Sequence, residues 1–218
     1  MIPDALALQG RAPGPGPWSE TVLGSNADFG RAVALDGDTL VVGAPFHYPD
    51  PEGNNSGIAF VYRRSNDIWT LEQQLEPVAD EYVLFGWSVD IDGDTIVVGA
   101  YGQSDFNGGI YIFERDGTSW TQMARRTPTT GADYFGDEVA ISGDLVVAAH
   151  RADTSFRGAV HTFERNQGGL NNWGETAKLM AHDAANNDEF GASIALFGDT
   201  LAVGAPLDDD KGSNSGSV

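Results

Sequence analysis

The 218-residue chain has no cysteine, which excludes disulfide staples, zinc–thiolate sites and thiol nucleophiles. Positive charge is scarce: 12 Lys and Arg stand against 32 Asp and Glu, a formal net charge of -20. Phosphate backbones demand a basic footprint, so nucleic acid is excluded as an expected partner, and an anionic membrane surface is disfavoured for the same reason. No apolar run reaches the roughly 18 residues of a membrane-spanning helix, so no membrane insertion is expected. The opening stretch, MIPDALALQGRAPGPGPW, has neither a basic n-region nor a long apolar h-region and does not read as a signal peptide. Two readings stay open: a chain not exported by that route, and a chain whose true start lies upstream. Catalytic signatures are missing as well. His47, His150, His161 and His182 show no H-E-x-x-H spacing, and no G-x-S-x-G elbow occurs, so no catalytic residue is assigned and a non-enzymatic role is expected.

What the chain does have is repetition. FGRAVALDGDTLVVGAP from Phe29 returns as FGWSVDIDGDTIVVGAY from Phe85, FGDEVAISGDLVVAAH from Phe135 and FGASIALFGDTLAVGAP from Phe190. A period of about fifty residues marks a repeat architecture, which must be settled before any local motif is read.

Each copy reads as strands. Arg31 to Leu35 and Leu40 to Ala44 flank Asp36-Gly37, a signal for a tight hairpin, with equivalents at Asp92-Gly93, Ser142-Gly143 and Phe197-Gly198. The second strand is nearly all apolar (LVVGA, IVVGA, LVVAA, LAVGA), which predicts cover on both faces. Its small residues predict a place where backbones approach closely. Third strands follow at GIAFVY (57–62), GIYIF (109–113) and GAVHTF (158–163), each running into arginine at Arg63, Arg115 and Arg165. A fourth begins at a recurring tryptophan: Trp18, Trp69, Trp120 and Trp173. In Trp69 to Leu75 apolar and polar residues alternate, the period of a half-solvated strand. Residues 1–17, rich in proline and glycine, read as a linker or disordered lead-in, with a first strand over 18–23. Four antiparallel strands per repeat make a sheet that cannot bury two apolar faces alone. Radial stacking of such sheets gives an all-β propeller.

The recurring Phe-Gly followed by Val-Gly-Ala-Pro resembles the FG-GAP repeat, the blade of integrin α-subunit propellers and of many bacterial surface proteins. The resemblance covers 18–218, with blades at about 27–75, 83–124 and 133–180 and an incomplete one at 188–218. It departs from the pattern at Tyr101 and His150, where proline is expected, and at Ala148, where glycine is expected; the third copy is one residue shorter after Asp144. GSNSGSV at the C-terminal end reads as the start of a third strand, so the chain is expected to be part of a larger propeller, for example a seven-bladed one, with further blades as partners. The resemblance implies an extracellular or cell-surface binding or adhesion module whose loops on one propeller face take a protein or glycan ligand. The propeller domain of a larger secreted enzyme and a structural spacer are the alternatives.

The family also implies calcium, held in a loop between the first two strands of a blade. Here that loop is a two-residue turn, too short to supply six to eight oxygen ligands, so its aspartates read as turn residues. Two other groups are candidate Ca2+ ligands. Asp90, Asp92 and Asp94 alternate along one strand face, and Asp208, Asp209, Asp210 and Asn214 crowd the loop 207–216. The comparable loops at 47–57, 102–109 and 151–158 use the same residue types. Asn54-Asn55-Ser56 is a formal glycosylation sequon. The recurring tryptophans read as packing residues. Trp87 does not recur: its counterparts are Arg31, Asp137 and Ala192, leaving open a contact with a neighbouring blade or with a ligand.

Overall fold

The computed structural model describes residues 27–47, 57–78, 84–101, 108–129 and 134–218. The expected lead-in, the strand expected over 18–23 with Trp18, the sequon, and most of the loops 47–57 and 102–109 lie outside them. Three antiparallel four-stranded sheets follow one another in chain order. The first holds β1 (Val33–Asp36), β2 (Thr39–Ala44), β3 (Ile58–Ser65) and β4 (Ile68–Leu75). The second holds β5 (Phe85–Asp92), β6 (Thr95–Ala100), β7 (Gly109–Asp116) and β8 (Ser119–Arg126). The third holds β9 (Val139–Ser142), β10 (Leu145–His150), β11 (Ala159–Glu164) and β12 (Gly174–Leu179), with a single turn α1 (Asp153–Phe156) between β10 and β11. A fourth sheet pairs β13 (Ser193–Phe197) with β14 (Thr200–Gly204), and Ala205 bridges antiparallel to Ser217, where the third strand was expected to start. These are the blades of a β-propeller fold.

Two details of the expected register are corrected. The hairpin loop between the first two strands is Gly37-Asp38, not Asp36-Gly37, because Asp36 pairs with Thr39. Glycine at the first loop position, with φ of 53° to 57° in all four copies, is the arrangement of a type II′ turn, whose twist suits a hairpin. In the third copy the turn pairs Ser142 with Leu145 as Asp36 pairs with Thr39, so the copy is not one residue shorter: Leu145 stands in the place of Thr39. Ala149 therefore takes the place of Gly43: each accepts the N–H of its blade's Phe-Gly glycine, Gly136 and Gly30. Arg151, not His150, stands where the other copies have Pro45, Tyr101 and Pro206.

The core lies in the seams between sheets. Val41, Val61 and Leu75 of the first sheet meet Phe85, Ile96, Val98 and Tyr111 of the second. Ile110 and Ile112 meet Phe135, Val146 and Trp173, and Val147 and Val160 meet Val203, Phe190 and Leu201. Both faces of β2 and β6 are buried along their whole length, as their apolar sequences require. Phe85 and Phe135, fully buried at these seams, each contribute on the order of 2–3 kcal/mol by area removed from water.

Glycine is required where one backbone lies on the next. A Cβ on Gly43 would stand 2.0 Å from the carbonyl oxygen of Gly86, and one on Gly99 2.2 Å from that of Gly136. The Phe-Gly of one blade is thus seated on the Val-Gly-Ala strand of the blade before it. The residue preceding each Phe also has positive φ: Asp28 at 52°, Leu84 at 47°, Tyr134 at 61° and Glu189 at 56°. With the following glycine at 86° to 100°, this fixes a bend around every Phe.

The turns make polar contacts across the same seams in one direction. Asp36 Oδ2 accepts the N–H of Gly93 at 2.8 Å, Asp92 Oδ2 that of Gly143 at 2.6 Å, and Ser142 Oγ that of Gly198 at 3.0 Å. At the outer edge Arg115 and Arg165 stack on Trp120 and Trp173, with 4.5 Å to each ring centroid. Each also reaches back to the preceding sheet, donating to Thr39 at 2.8 Å and Thr95 at 2.9 Å respectively. In the first sheet the equivalent arginine is Arg64 rather than Arg63, pairing with Asp38 at 2.7 Å and lying over Trp69. The described recurring tryptophans are therefore packing residues, buried under arginine.

Candidate functional site

The first strands β1, β5, β9 and β13 pack side by side, so equivalent positions of successive blades converge at one end of the stack. The position immediately after Phe-Gly brings together Arg31, Trp87, Asp137 and Ala192. The position after the Val-Gly-Ala strand adds Tyr101 and Arg151. The position before Phe-Gly adds Asp28, Tyr134 and Glu189. Arg31, Trp87, Asp137, Glu138, Arg151 and Ala192 are among the residues lining a cavity of about 350 Å³ at this end.

Trp87 is the hub. The Arg31 guanidinium lies 3.9 Å from its ring centroid, and Tyr101 stacks on it at 4.4 Å with 14° between planes. Two groups at these distances occupy opposite faces of the indole. Tyr134 continues the stack beyond Tyr101 at 4.9 Å, and Phe46 meets Trp87 edge-on at 6.4 Å. The indole N–H donates to Asp137 Oδ1 at 3.0 Å. Arg151 Nε holds the other oxygen of Asp137 at 2.7 Å, while its Nη1 lies 3.7 Å from Glu189.

The electrostatics follow from this packing. Asp137 is buried, and burial pushes its carboxyl up against the opposing pull of Arg151 and the Trp87 hydrogen bond. Glu138 is half-buried beside it; burial first, and the Asp137 charge second, push its carboxyl up. The Glu138 backbone carbonyl accepts the Ala149 N–H at 2.8 Å, and among the described residues the Glu138 carboxylate has no hydrogen-bond partner. The cavity thus presents two guanidinium groups, one carboxylate already held by two donors and one that is not.

The aspartates singled out as candidate calcium ligands go elsewhere. Asp90 accepts from Ile91 N at 2.9 Å and, across the seam, from Ile141 N at 2.8 Å. Asp92 caps Gly143 as described, and Asp94 lies 3.6 Å from Arg115. These three carboxylates do not converge. In the loop 207–216, Asp208 accepts from Asp210 N at 3.0 Å, and Ser215 Oγ donates to its backbone carbonyl at 3.1 Å. The Ser217 hydroxyl and the Asp210 backbone hold the Asp208 carboxyl below its usual range, whereas Asp183 beside Asp210 pushes that carboxyl up. Asp209 offers its backbone carbonyl to Gly212, and Asn214 is an exposed residue with φ of 49°. Among the described residues no group of three or more acidic or histidine side chains is placed to hold a metal ion, and no helix is long and apolar enough to cross a membrane.

Trp87 was legible as a non-recurring residue, and Tyr101 as a departure from proline. Glu138 was missed, and Arg151 and Tyr134 were not singled out within the loops that held them. The signal that would have found them is variation within a repeat column that the fold carries to the cavity, and for Arg151 that column was hidden by reading the third copy as one residue shorter.

Comparison with known structures gives a europium-containing methanol dehydrogenase at 10% identity and a TM-score of 0.47, covering 72% of this chain and 26% of that one. The chain therefore spans about a quarter of the length of that protein. A search of curated proteins found no match. The FG-GAP repeat matches four times, over residues 23–62, 69–113, 120–163 and 173–218. With the Phe-Gly and Val-Gly-Ala segments of those matches seated on one another at the first two seams, the chain belongs to the FG-GAP repeat family.

Proposed function

We propose that this chain is a non-enzymatic binding module of an extracellular or cell-surface protein, which presents the Phe-Gly end of its blade stack to a protein or glycan. The observation that carries this reading is the convergence at the cavity. Elsewhere the blades repeat the same contacts, Asp turn to glycine N–H and arginine over tryptophan, and these explain the recurring residues. At the Phe-Gly end the equivalent positions hold Arg31, Trp87, Asp137 and Ala192, four unlike residues. Loops carried on a rigid scaffold are where proteins place recognition. The family resemblance supports the extracellular setting and adhesion by analogy with integrin-type propellers.

The test is binding of the purified chain to arrayed extracellular glycans and matrix proteins. Wild type is expected to bind a member of one array, Trp87→Ala combined with Arg151→Ala to lose it, and Asp36→Ala, far from the cavity, to retain it. Equal binding by all three, or no binding in either array, overturns the reading.

A further inference from the structure

We infer that the cavity at the Phe-Gly end takes a small neutral saccharide, held by hydrogen bonds from Arg31 and Arg151 and to Glu138. This deepens the binding reading above and rests on it. The first argument is charge. The chain carries a formal net charge of -20, yet Arg31 and Arg151 balance Asp137 and Glu138 within the cavity lining. A cationic ligand meets two guanidinium groups there, and an anionic one meets two carboxylates inside an acidic protein. A neutral ligand meets neither penalty.

The second argument is hydrogen-bond chemistry. Guanidinium groups only donate and carboxylates only accept. A lining that mixes the two suits a ligand whose every polar group does both, as a hydroxyl does. Adjacent hydroxyls of a sugar ring match the two-pronged geometry of a carboxylate or a guanidinium. Glu138 is the open acceptor, because Asp137 already receives the Trp87 indole N–H and Arg151. Among the described residues Arg31, stacked on Trp87, has only a 3.8 Å approach to Asp28 as an ion-pair partner.

The third argument is size and rigidity. About 350 Å³ lies at the small end of ligand pockets, the scale of a mono- or disaccharide. Both faces of Trp87 are occupied, so the indole serves as a prop rather than as a stacking platform. The stack Arg31, Trp87, Tyr101, Tyr134 holds the wall in place before any ligand arrives, and pre-organisation lowers the cost of binding.

The experiment is calorimetric titration of the whole chain with neutral mono- and disaccharides to about 10 mM, enough to reveal a site with Kd near 1 mM. Parallel arms use a sialylated sugar and free amino acids as zwitterions. At least one neutral saccharide is expected to bind one site. Glu138→Gln is expected to weaken it tenfold or more, and Ala192→Phe, which fills the cavity without removing a polar group, to abolish it. Circular dichroism melting verifies that both variants are folded. Binding by the sialylated sugar or amino acids alone, or saccharide binding that survives both substitutions, overturns the inference. So does a matrix protein bound through Trp87 and Arg151 with no saccharide bound, although that outcome leaves the binding-module reading standing. No ligand in any calorimetric arm, together with no binding to the glycan and matrix-protein arrays, overturns both.

Discussion

The Trp87 indole N–H and the Asp137 carboxylate, 3.0 Å apart, join the second blade to the third at the mouth of the cavity. Trp87→Phe keeps a ring for Arg31 and Tyr101 to stack on but removes the donor, leaving buried Asp137 with Arg151 alone. A hydrogen bond to a charged group contributes about 2 kcal/mol. The expected outcome is a fall of roughly 4–8 °C in melting temperature, with Trp87→Ala falling further.

The seam glycines and the turn glycines should separate cleanly. Gly43→Ala drives a Cβ to 2.0 Å from the Gly86 carbonyl, backbone against backbone, and is expected to cost about 3 kcal/mol or more. Gly93→Ala meets open space, and only its φ of 57° is strained; the expected cost is about 1–2 kcal/mol. Urea unfolding of the two variants measures the difference, and equal costs would contradict the seam contact.

Asp90 distinguishes a backbone cap from a cation ligand. Asp90→Asn keeps an oxygen for Ile141 N–H but turns its NH2 towards the Ile91 N–H that the second oxygen held, and is expected to cost about 1 kcal/mol, whereas Asp90→Ala leaves both donors without a side-chain partner and costs about 2–4 kcal/mol. Melting in calcium and in chelator is expected to give the same ranking. A cation role would make Asn as damaging as Ala, and only when calcium is present.

A pH dependence follows from His161. Its ring is fully buried with Nδ1 2.7 Å from Glu175 Oε1; burial, the largest influence, holds the imidazole below its usual range. Asp153, Lys178 and His150 lie close by. Because the folded value is the lower one, the unfolded chain takes up the proton first as pH falls. The stability attached to His161 is therefore complete above the unfolded value of about 6.5 and drains away as pH drops towards the folded value. Wild type minus His161→Gln melting temperature is expected to be constant between about pH 7 and 8 and to shrink below about 6.5.

Much of the fold was legible because its causes are local and recur. The apolar second strands announced burial on both faces, and the Asp-Gly pairs announced hairpins. The site was legible only in part. Trp87 stood out as a residue its copies lack, but nothing in a linear sequence says that Arg31, Asp137 and Ala192, its own counterparts, are its neighbours. That follows from the stacking, which turns one repeat column into one place. The third copy shows the limit of alignment by resemblance: Ala149 looked like the final alanine of Val-Gly-Ala, and only the pairing of Ser142 with Leu145 puts it in the glycine position. The alternate aspartates 90, 92 and 94 looked like a cluster because strand periodicity was visible and the N–H groups of the next blade were not.

The turn contacts give the propeller a grammatical direction. Asp36 serves Gly93, Asp92 serves Gly143 and Ser142 serves Gly198; each turn completes its successor and none completes its predecessor. Damage should therefore travel one way. Asp36→Ala is expected to speed hydrogen exchange at the Gly93 amide while leaving that of Gly37 unchanged, and the reverse pattern would contradict it. Phe197 occupies the next place in this series, 87% exposed and with no acceptor in its side chain. At this place the fourth blade therefore presents a hydrophobic surface instead of a hydrogen-bond acceptor.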